Sequence, residues 1–308
     1  MKNKELRYAL LLLLTAAIWG FAMAAQRHGS QYLSPFTFNA CRFVLGGAAM
    51  LPLMIREHKK LPIPASGKHA LLNKQELLFG CITGSVLFIA SLLQQAGVGD
   101  AGAGKAGFLT ALYVVLVPVM GVFLKKKTGL TTWLSLLLAL PALYLLCVKK
   151  GESLSLAPAD SLVLLGAFFW AGHILVTDHF VKSVSPLKLC TVQFFSGAIL
   201  NIIFALIFER ECITLSNLSH ALWAVCYCGL LSTGAGYLLQ TLGQRDCRPA
   251  FAALILSLES VFCVIAGALM LSEEMTSRGY AGCGLMLLAV LLAQAGDLLG
   301  TRKEETHV

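Results

Sequence analysis

Ten apolar stretches of about membrane-spanning length follow one another along this 308-residue chain: 7–26, 35–55, 77–96, 104–124, 130–148, 159–177, 187–208, 219–240, 249–271 and 279–299. A bilayer core takes roughly 20 apolar residues per helix, so each stretch can cross it once. Charge is correspondingly scarce. Only 13% of the residues are Asp, Glu, Lys or Arg, against about 25% in an ordinary soluble domain. No polar stretch long enough for a soluble catalytic domain is left between the runs. The chain reads as an all-α integral membrane protein with ten transmembrane helices.

The first run, "MKNKELRYALLLLLTAAIWGFAMAAQ", has the basic end, apolar core and small residues of a secretory signal. It is also long enough to span, and it forms part of an internal repeat, so it is read as the first helix. The ten cysteines lie mostly inside apolar runs (Cys41, Cys81, Cys190, Cys226, Cys228, Cys263, Cys283). There a thiol behaves as a small hydrophobe. Cys226-x-Cys228 has no second pair at zinc-type spacing, and no metal or cofactor is expected. The net charge of +8 does not indicate nucleic acid, because the positives follow topology. With the N-terminus cytoplasmic, 17 of the 24 Lys and Arg fall in inner segments and 6 in outer ones, with Arg42 inside a span. The positive-inside rule then puts both termini in the cytoplasm of a bacterial-type inner membrane.

The second half repeats the first. An offset of 151 pairs Trp19 with Trp170, Ser34-Pro35 with Ser185-Pro186, Phe43 with Phe194 and Gly46 with Gly197. An offset of 146 pairs Leu93-Gln94 with Leu239-Gln240, Gly97 with Gly243 and Asp100 with Asp246. Residues 1–150 and 151–308 therefore form two five-helix repeats. Five spans is an odd number, so the second copy enters the membrane from the opposite face. Inverted repeats are a mark of secondary transporters, whose substrate site lies at the midplane between the halves.

One stretch raises another function. "GVGDAGAGKAGFLT" (97–110) comes within one residue of the phosphate-cradling pattern GxxxxGK[ST]. Ala106 stands where the Mg²⁺-binding hydroxyl belongs, a membrane span precedes it instead of a short strand, and charge bias puts it on the outer face. No ATP site is expected.

That stretch resembles something else. "AGAGKAGFLTALYVVLVPV" (102–119 and its neighbours), Trp19-Gly20, Arg42-Phe43 and "LMLSEEMT" (269–276) are similar to the EamA-type carriers of the drug/metabolite transporter superfamily. The resemblance covers about 7–299 and implies ten helices in two inverted repeats, with export of metabolites as the commoner direction. It also implies that helices 2 and 7 lie away from the central cavity. The chain departs from the pattern in two places. Glu259 is followed by Ser260 where the family often has proline, and the first-repeat counterpart of Glu273-Glu274 is the basic run Lys125-Lys126-Lys127.

An ionisable group at bilayer depth costs about 2.5–3.5 kcal/mol on insertion scales and marks function by default. Glu259, about ten residues into helix 9, is the candidate coupling group, able to carry a proton or bind an amine. The competing reading makes it a buried partner of Arg42, which otherwise snorkels outward or touches substrate. Lys105, at the start of helix 4, combines with a helix N-terminus into a locus for a carboxylate, or simply anchors the interface. Trp19 and Trp170 sit near mid-depth, away from the interface tryptophan prefers, and are read as facing a cavity. His173, one turn past Trp170, is a proton relay or a hydrogen-bonded packing residue. Gln94, Gln95 and Gln240 bind substrate or glue helices, and Tyr113 and Tyr237 supply aromatic wall.

The function that follows is a carrier of small organic metabolites such as amino acids, facilitative or proton-coupled, with alternating access. Its partners are a small-molecule substrate and the lipid bilayer, with a homodimer left open. The rival, an integral-membrane enzyme, needs clustered His/Asp or Ser/His at one membrane face, and the sequence offers none. A channel or receptor subunit fits the inverted repeat poorly.

Overall fold

The computed structural model describes residues 2–60, 70–101, 103–126, 128–147, 157–271 and 276–305. Each apolar run is helical where described. The helices are α1 (Lys2–Gly29), α2 (Pro35–Lys59), α3 (Lys74–Ala101), α4 (Ala103–Ala111), α5 (Tyr113–Phe123), α6 (Leu130–Cys147), α7 (Pro158–Phe180) and α8 (Pro186–Phe208). They continue with α9 (Leu215–Cys226), a π-helical stretch (Tyr227–Gly236), α10 (Tyr237–Gln244), α11 (Pro249–Leu256), α12 (Glu259–Leu271) and α13 (Ser277–Glu305). Eight segments are long and apolar enough to cross a membrane, and Leu130–Leu145 and Ser277–Ala293 form two shorter apolar helices. No strand occurs among the described residues. The stretch 97–110 is helical on both sides of Gly102, which removes the strand-to-loop geometry that a phosphate loop requires.

The distribution of polarity is that of a protein dissolved in lipid. Large apolar side chains point outward, with Leu6, Leu10 and Leu14 of α1 and Ile199, Ile203, Leu206 and Ile207 of α8 all exposed. Arg42, Gln94, Gln95, Gln240 and Glu259 are buried inside. Lipid offers backbone amides no partner, so the spanning segments must be helices.

Helix starts follow local chemistry. Ser34 and Ser185 stand as extended N-caps before Pro35 and Pro186, where proline costs no hydrogen bond and its fixed φ suits the first turn. Glu209, at the end of α8, accepts from Phe36 N (3.0 Å), Thr37 N (2.8 Å) and Thr37 Oγ1 (2.8 Å), closing the N-terminus of α2. At the opposite end of the same helix pair, Ser185 Oγ donates to Glu57 Oε1 at 2.7 Å. Asp178 is ion-paired with Lys126 and Lys182. Glu76 and Lys188 form a buried pair at 2.9 Å.

Contacts come in exchanged pairs. α3 packs on α7 as α10 packs on α1, and α3 lies on α8 as the π stretch lies on α2. α4 and α5 meet α7 as α11 and α12 meet α1, while α2–α8 and α6–α13 join each segment to its own counterpart. This neighbour pattern is the one two pseudo-equivalent halves generate.

Three of the apolar runs are not the continuous helices their length implies. The fourth breaks at Leu112, between α4 and α5, six residues before Pro118. Proline removes a backbone donor and crowds the preceding turn. The ninth breaks at Ser257–Leu258, between α11 and α12, without a proline. There Ser260 N bonds back only three residues, to Ser257 O (3.1 Å). The hydroxyls of Ser257 and Ser260 cover the carbonyls of Leu254 (2.7 Å) and Ser257 (2.8 Å). Under the 146-residue offset the two breaks coincide, with Leu112 opposite Leu258 and Tyr113 opposite Glu259. The eighth run contains the π stretch, whose looser winding is often found at functional sites.

Candidate functional site

The helix breaks and the π stretch converge on one cavity. α1 contributes Trp19, Met23 and Gln26, which fall at i, i+4 and i+7 and so share a helical face. α7 contributes Trp170 and Ile174 at the same phase. Gln94 of α3, Thr110 of α4 and Tyr113 at the start of α5 line it from the first half. Ser232 of the π stretch, Tyr237 and Gln240 of α10, and Glu259 at the start of α12 line it from the second, and Arg42 of α2 completes the lining.

Much of this wall is built of repeat mates. Trp19 and Trp170, Met23 and Ile174, Gln94 and Gln240, and Tyr113 and Glu259 each pair under the offsets of 151 or 146. The aromatic part is compact. Ring centroids are 4.9 Å apart for Trp19–Tyr237, 6.2 Å for Trp170–Tyr237 and 6.5 Å for Trp19–Trp170. Trp19 is fixed by its indole, whose Nε1 donates to Ser232 O at 3.1 Å. It also lies on Gly236, where a Cβ would come within 2.7 Å of that nitrogen. Thr15 Oγ1 donates to Gly236 O at 3.3 Å, so two carbonyls of the π stretch hold α1. Gln94 Nε2 donates to Thr110 Oγ1 at 3.1 Å.

The unmet polar atoms are the chemical content of the cavity. Gln26 Oε1, Arg42 Nε and Nη2, Tyr113 Oη, Trp170 Nε1, both side-chain heteroatoms of Gln240, and Glu259 Oε1 are buried with no hydrogen-bond partner. Native interiors leave few such groups, and an unpaired buried one costs about 1–3 kcal/mol, more if charged. These eight belong to residues that line one cavity. Arg42 and Glu259 are not joined to each other, since no ion pair links them within 4.0 Å. Tyr237 lies within electrostatic reach of both. The Tyr113 hydroxyl is near enough to interact with the Glu259 carboxyl, although neither Tyr113 Oη nor Glu259 Oε1 completes a hydrogen bond.

Of the residues singled out from sequence, Trp19, Gln94, Tyr113, Trp170, Tyr237, Gln240 and Glu259 share this lining. Two do not reach it. Gln95 turns to α1, where its Nε2 donates to Gln26 O at 3.2 Å. His173 sits behind the wall, its Nε2 3.1 Å from Gln193 Oε1 and its ring edge-on to Trp170 and Tyr237. The side chain of Lys105 and the pair Glu273-Glu274 lie outside the described residues.

Arg42 corrects two expectations. It is 2% exposed, so it does not snorkel to the headgroups, and it brings α2 to the cavity from which the family resemblance had removed it. A signal was present: Asn39, Arg42 and Gly46 fall at i, i+3 and i+7, a polar and small stripe on one face of an apolar helix, and all are buried. Met23, Gln26 and Ile174 were likewise readable as the turns following Trp19 and Trp170. Ser232 was not, because its contribution comes with the π stretch.

Comparison with known proteins adds the family. The profile of the EamA-like transporter family matches residues 6–148 and 157–294. An uncharacterized transporter of Archaeoglobus fulgidus is 28% identical over 94% of this chain and 86% of its own. The uncharacterized transporter YwfM of Bacillus subtilis is 25% identical over 98% of each. The WAT1-related protein At2g39510 of Arabidopsis thaliana is 29% identical over 51% of this chain and 42% of its own. A crystal structure of a protein 16% identical superposes with a TM-score of 0.73 over 94% of this chain and 98% of that one, a likeness of fold.

Proposed function

The chain belongs to the EamA-like transporter family, a multi-pass membrane transporter by that membership, and from this premise we propose that it is a secondary carrier of small organic solutes, amino acids and related amphoteric metabolites. One observation carries the substrate class: a buried guanidinium, a buried carboxyl group and neutral donors and acceptors, each with unpartnered atoms, belong to the residues that line one aromatic cavity. A solute bearing charged groups together with an apolar body supplies what these walls lack. Pockets of this kind are mostly apolar with a few placed polar groups.

Alternating access follows from the mate-pair wall. Two halves that present the same residues to one central site give two pseudo-equivalent ways of opening it. Glu259 is the coupling group in this reading. It begins a half-helix at a break, and its carboxyl has the Tyr113 hydroxyl beside it and no cation. Tyr113 has the same place in the other half and carries a phenol instead of a carboxyl group, so one gate carries the proton site and the other does not. Charge bias places both termini in the cytoplasm of an inner membrane, and the family resemblance favours export. The chain works as a carrier, not an enzyme.

Glu259→Gln tests the coupling. The amide keeps shape and hydrogen bonding but holds no exchangeable charge. In proteoliposomes preloaded with L-amino acids, the variant should retain counterflow exchange and lose uphill, pH-driven uptake. Normal pH-driven uptake by a well-expressed Glu259→Gln protein would refute the coupling role. Absence of any exchange by the wild-type protein, for amino acids, amines and neutral solutes alike, would refute the carrier.

A further inference from the structure

We propose that Arg42 is the anion anchor of the cavity, and that the solute it accepts must present a carboxylate to the Nε–Nη2 edge of that guanidinium. The inference rests on the carrier reading and narrows it.

The guanidinium is a permanent charge, because arginine does not deprotonate in proteins. Held at membrane depth, it needs compensation. The three usual sources are missing. The residue is 2% exposed, so bulk water and headgroups do not solvate it. No ion pair joins it to Glu259 or to another acidic side chain among the described residues. Its one aromatic contact is with the adjacent Phe43 ring, 4.9 Å from the guanidinium carbon, which covers a face and leaves the edge. On that edge Nε and Nη2 are both without a partner. These two nitrogens carry parallel N–H bonds, the fork that receives both oxygens of a carboxylate. Arg42 is one of the residues that line the cavity.

The rest of the wall gives the solute one orientation. Where most of the lining is duplicated by the repeat, Arg42 is not: its mate is Gln193, whose amide oxygen lies 3.1 Å from His173 Nε2 and which is not among the lining residues. Among the described lining residues Arg42 is the one cation, on α2. Glu259, Trp19 and Tyr237, which line the same cavity, receive the remainder. A simple amine would leave the guanidinium unpaired at its own binding site, and the binding would lose what the fork supplies.

The test uses the purified full-length protein in detergent, with thermal unfolding as the readout of binding. The probes are the proteinogenic L-amino acids. For each that stabilises, its methyl ester, its decarboxylated amine and its N-acetyl derivative follow. We expect stabilisation by at least one amino acid, retention of binding by the N-acetyl compound, and affinity about 10- to 100-fold weaker for ester and amine. Arg42→Gln should abolish the response, and Arg42→Lys should retain a weakened one. Equal binding of acid, ester and amine, equal binding by Arg42→Gln, or stabilisation by no amino acid would overturn the anchor. Should Arg42→Gln fail to fold, the comparison of ligands on the wild-type protein decides alone. Counterflow of an amine or ester by the wild type would refute the anchor and leave the carrier standing.

Discussion

Gly20 is the point where α1 touches the break in the ninth apolar run. A Cβ built there lies 2.6 Å from the carbonyl oxygen of Glu259 and 2.8 Å from the amide nitrogen of Cys263, and it collides with the Cβ of Phe262. Two of these neighbours are backbone and the third is a Cβ fixed by it, so none can rotate away. To widen the 2.4 Å contact with Phe262 Cβ to 3.4 Å, α1 must retreat by about 1.0 Å, overpacking that costs about 1–3 kcal/mol. Trp19 precedes Gly20 and moves with it. Its 3.1 Å bond to Ser232 O would stretch beyond hydrogen-bonding distance, a further loss of about 1 kcal/mol. Against this stands the helix preference of alanine over glycine, about 1 kcal/mol at most. The sum is destabilising, so Gly20→Ala should lower the apparent Tm by at least about 3 °C and depress counterflow with it. Gly107 is the control. It lies on α4 against the same α12, but its Cβ would meet only Cys263 Sγ, at an ordinary 3.7 Å. Gly107→Ala should leave Tm unchanged or raise it. A Gly20→Ala protein with wild-type Tm and exchange would refute the reasoning, and equal damage from Gly107→Ala would show that close approach at Gly20 is not the cause.

The buried pair Glu76–Lys188, with both side chains 8% exposed, should make Lys188→Met costly by about 3–5 kcal/mol, seen as a large fall in Tm. Glu76→Gln in the same chain should recover most of it, and failure to recover would show that Lys188 acts by packing. Glu209→Ala removes three acceptor contacts from the start of α2 and should cost about 1–2 kcal/mol while Arg42 still binds; an unchanged Tm would sink this role. Reporter fusions at Gly67 and Lys127 should read cytoplasmic and one at Glu152 external. An external reading at Gly67 would overturn the proposed topology.

The helices were legible because lipid leaves the backbone one choice. The apolar runs are helical where described, eight of the segments long enough to span, and Ser34-Pro35 and Ser185-Pro186 marked where two of them start. Mid-depth tryptophans also led to the cavity, since neither Trp19 nor Trp170 had an interface to occupy. What sequence left hidden is the phase of a helix after it has been disturbed. Counting 3.6 residues per turn from α9 does not carry to α10, because ten residues between them are wound with i→i+5 bonds. The orientation of Tyr237 and Gln240 toward Trp19 therefore came from chemistry, an aromatic and an amide expected in a wall, and not from periodicity.

Ser260 shows why a departure from a family pattern need not abolish what the pattern builds. Proline would break a helix by removing a donor and crowding the turn before it. Ser260 keeps its donor, which reaches Ser257 O instead of the carbonyl four residues back. Its hydroxyl then covers that same carbonyl, and Ser257 covers Leu254 O in the same way. Serine side chains bonded to nearby carbonyls are known to bend helices. The break thus survives a change of residue, and with it the position of Glu259 as the first residue of α12. In the other half Pro118 accompanies the corresponding break, and Tyr113 stands first in α5. Two different local chemistries thus place two different residues, Glu259 and Tyr113, at equivalent points of one cavity.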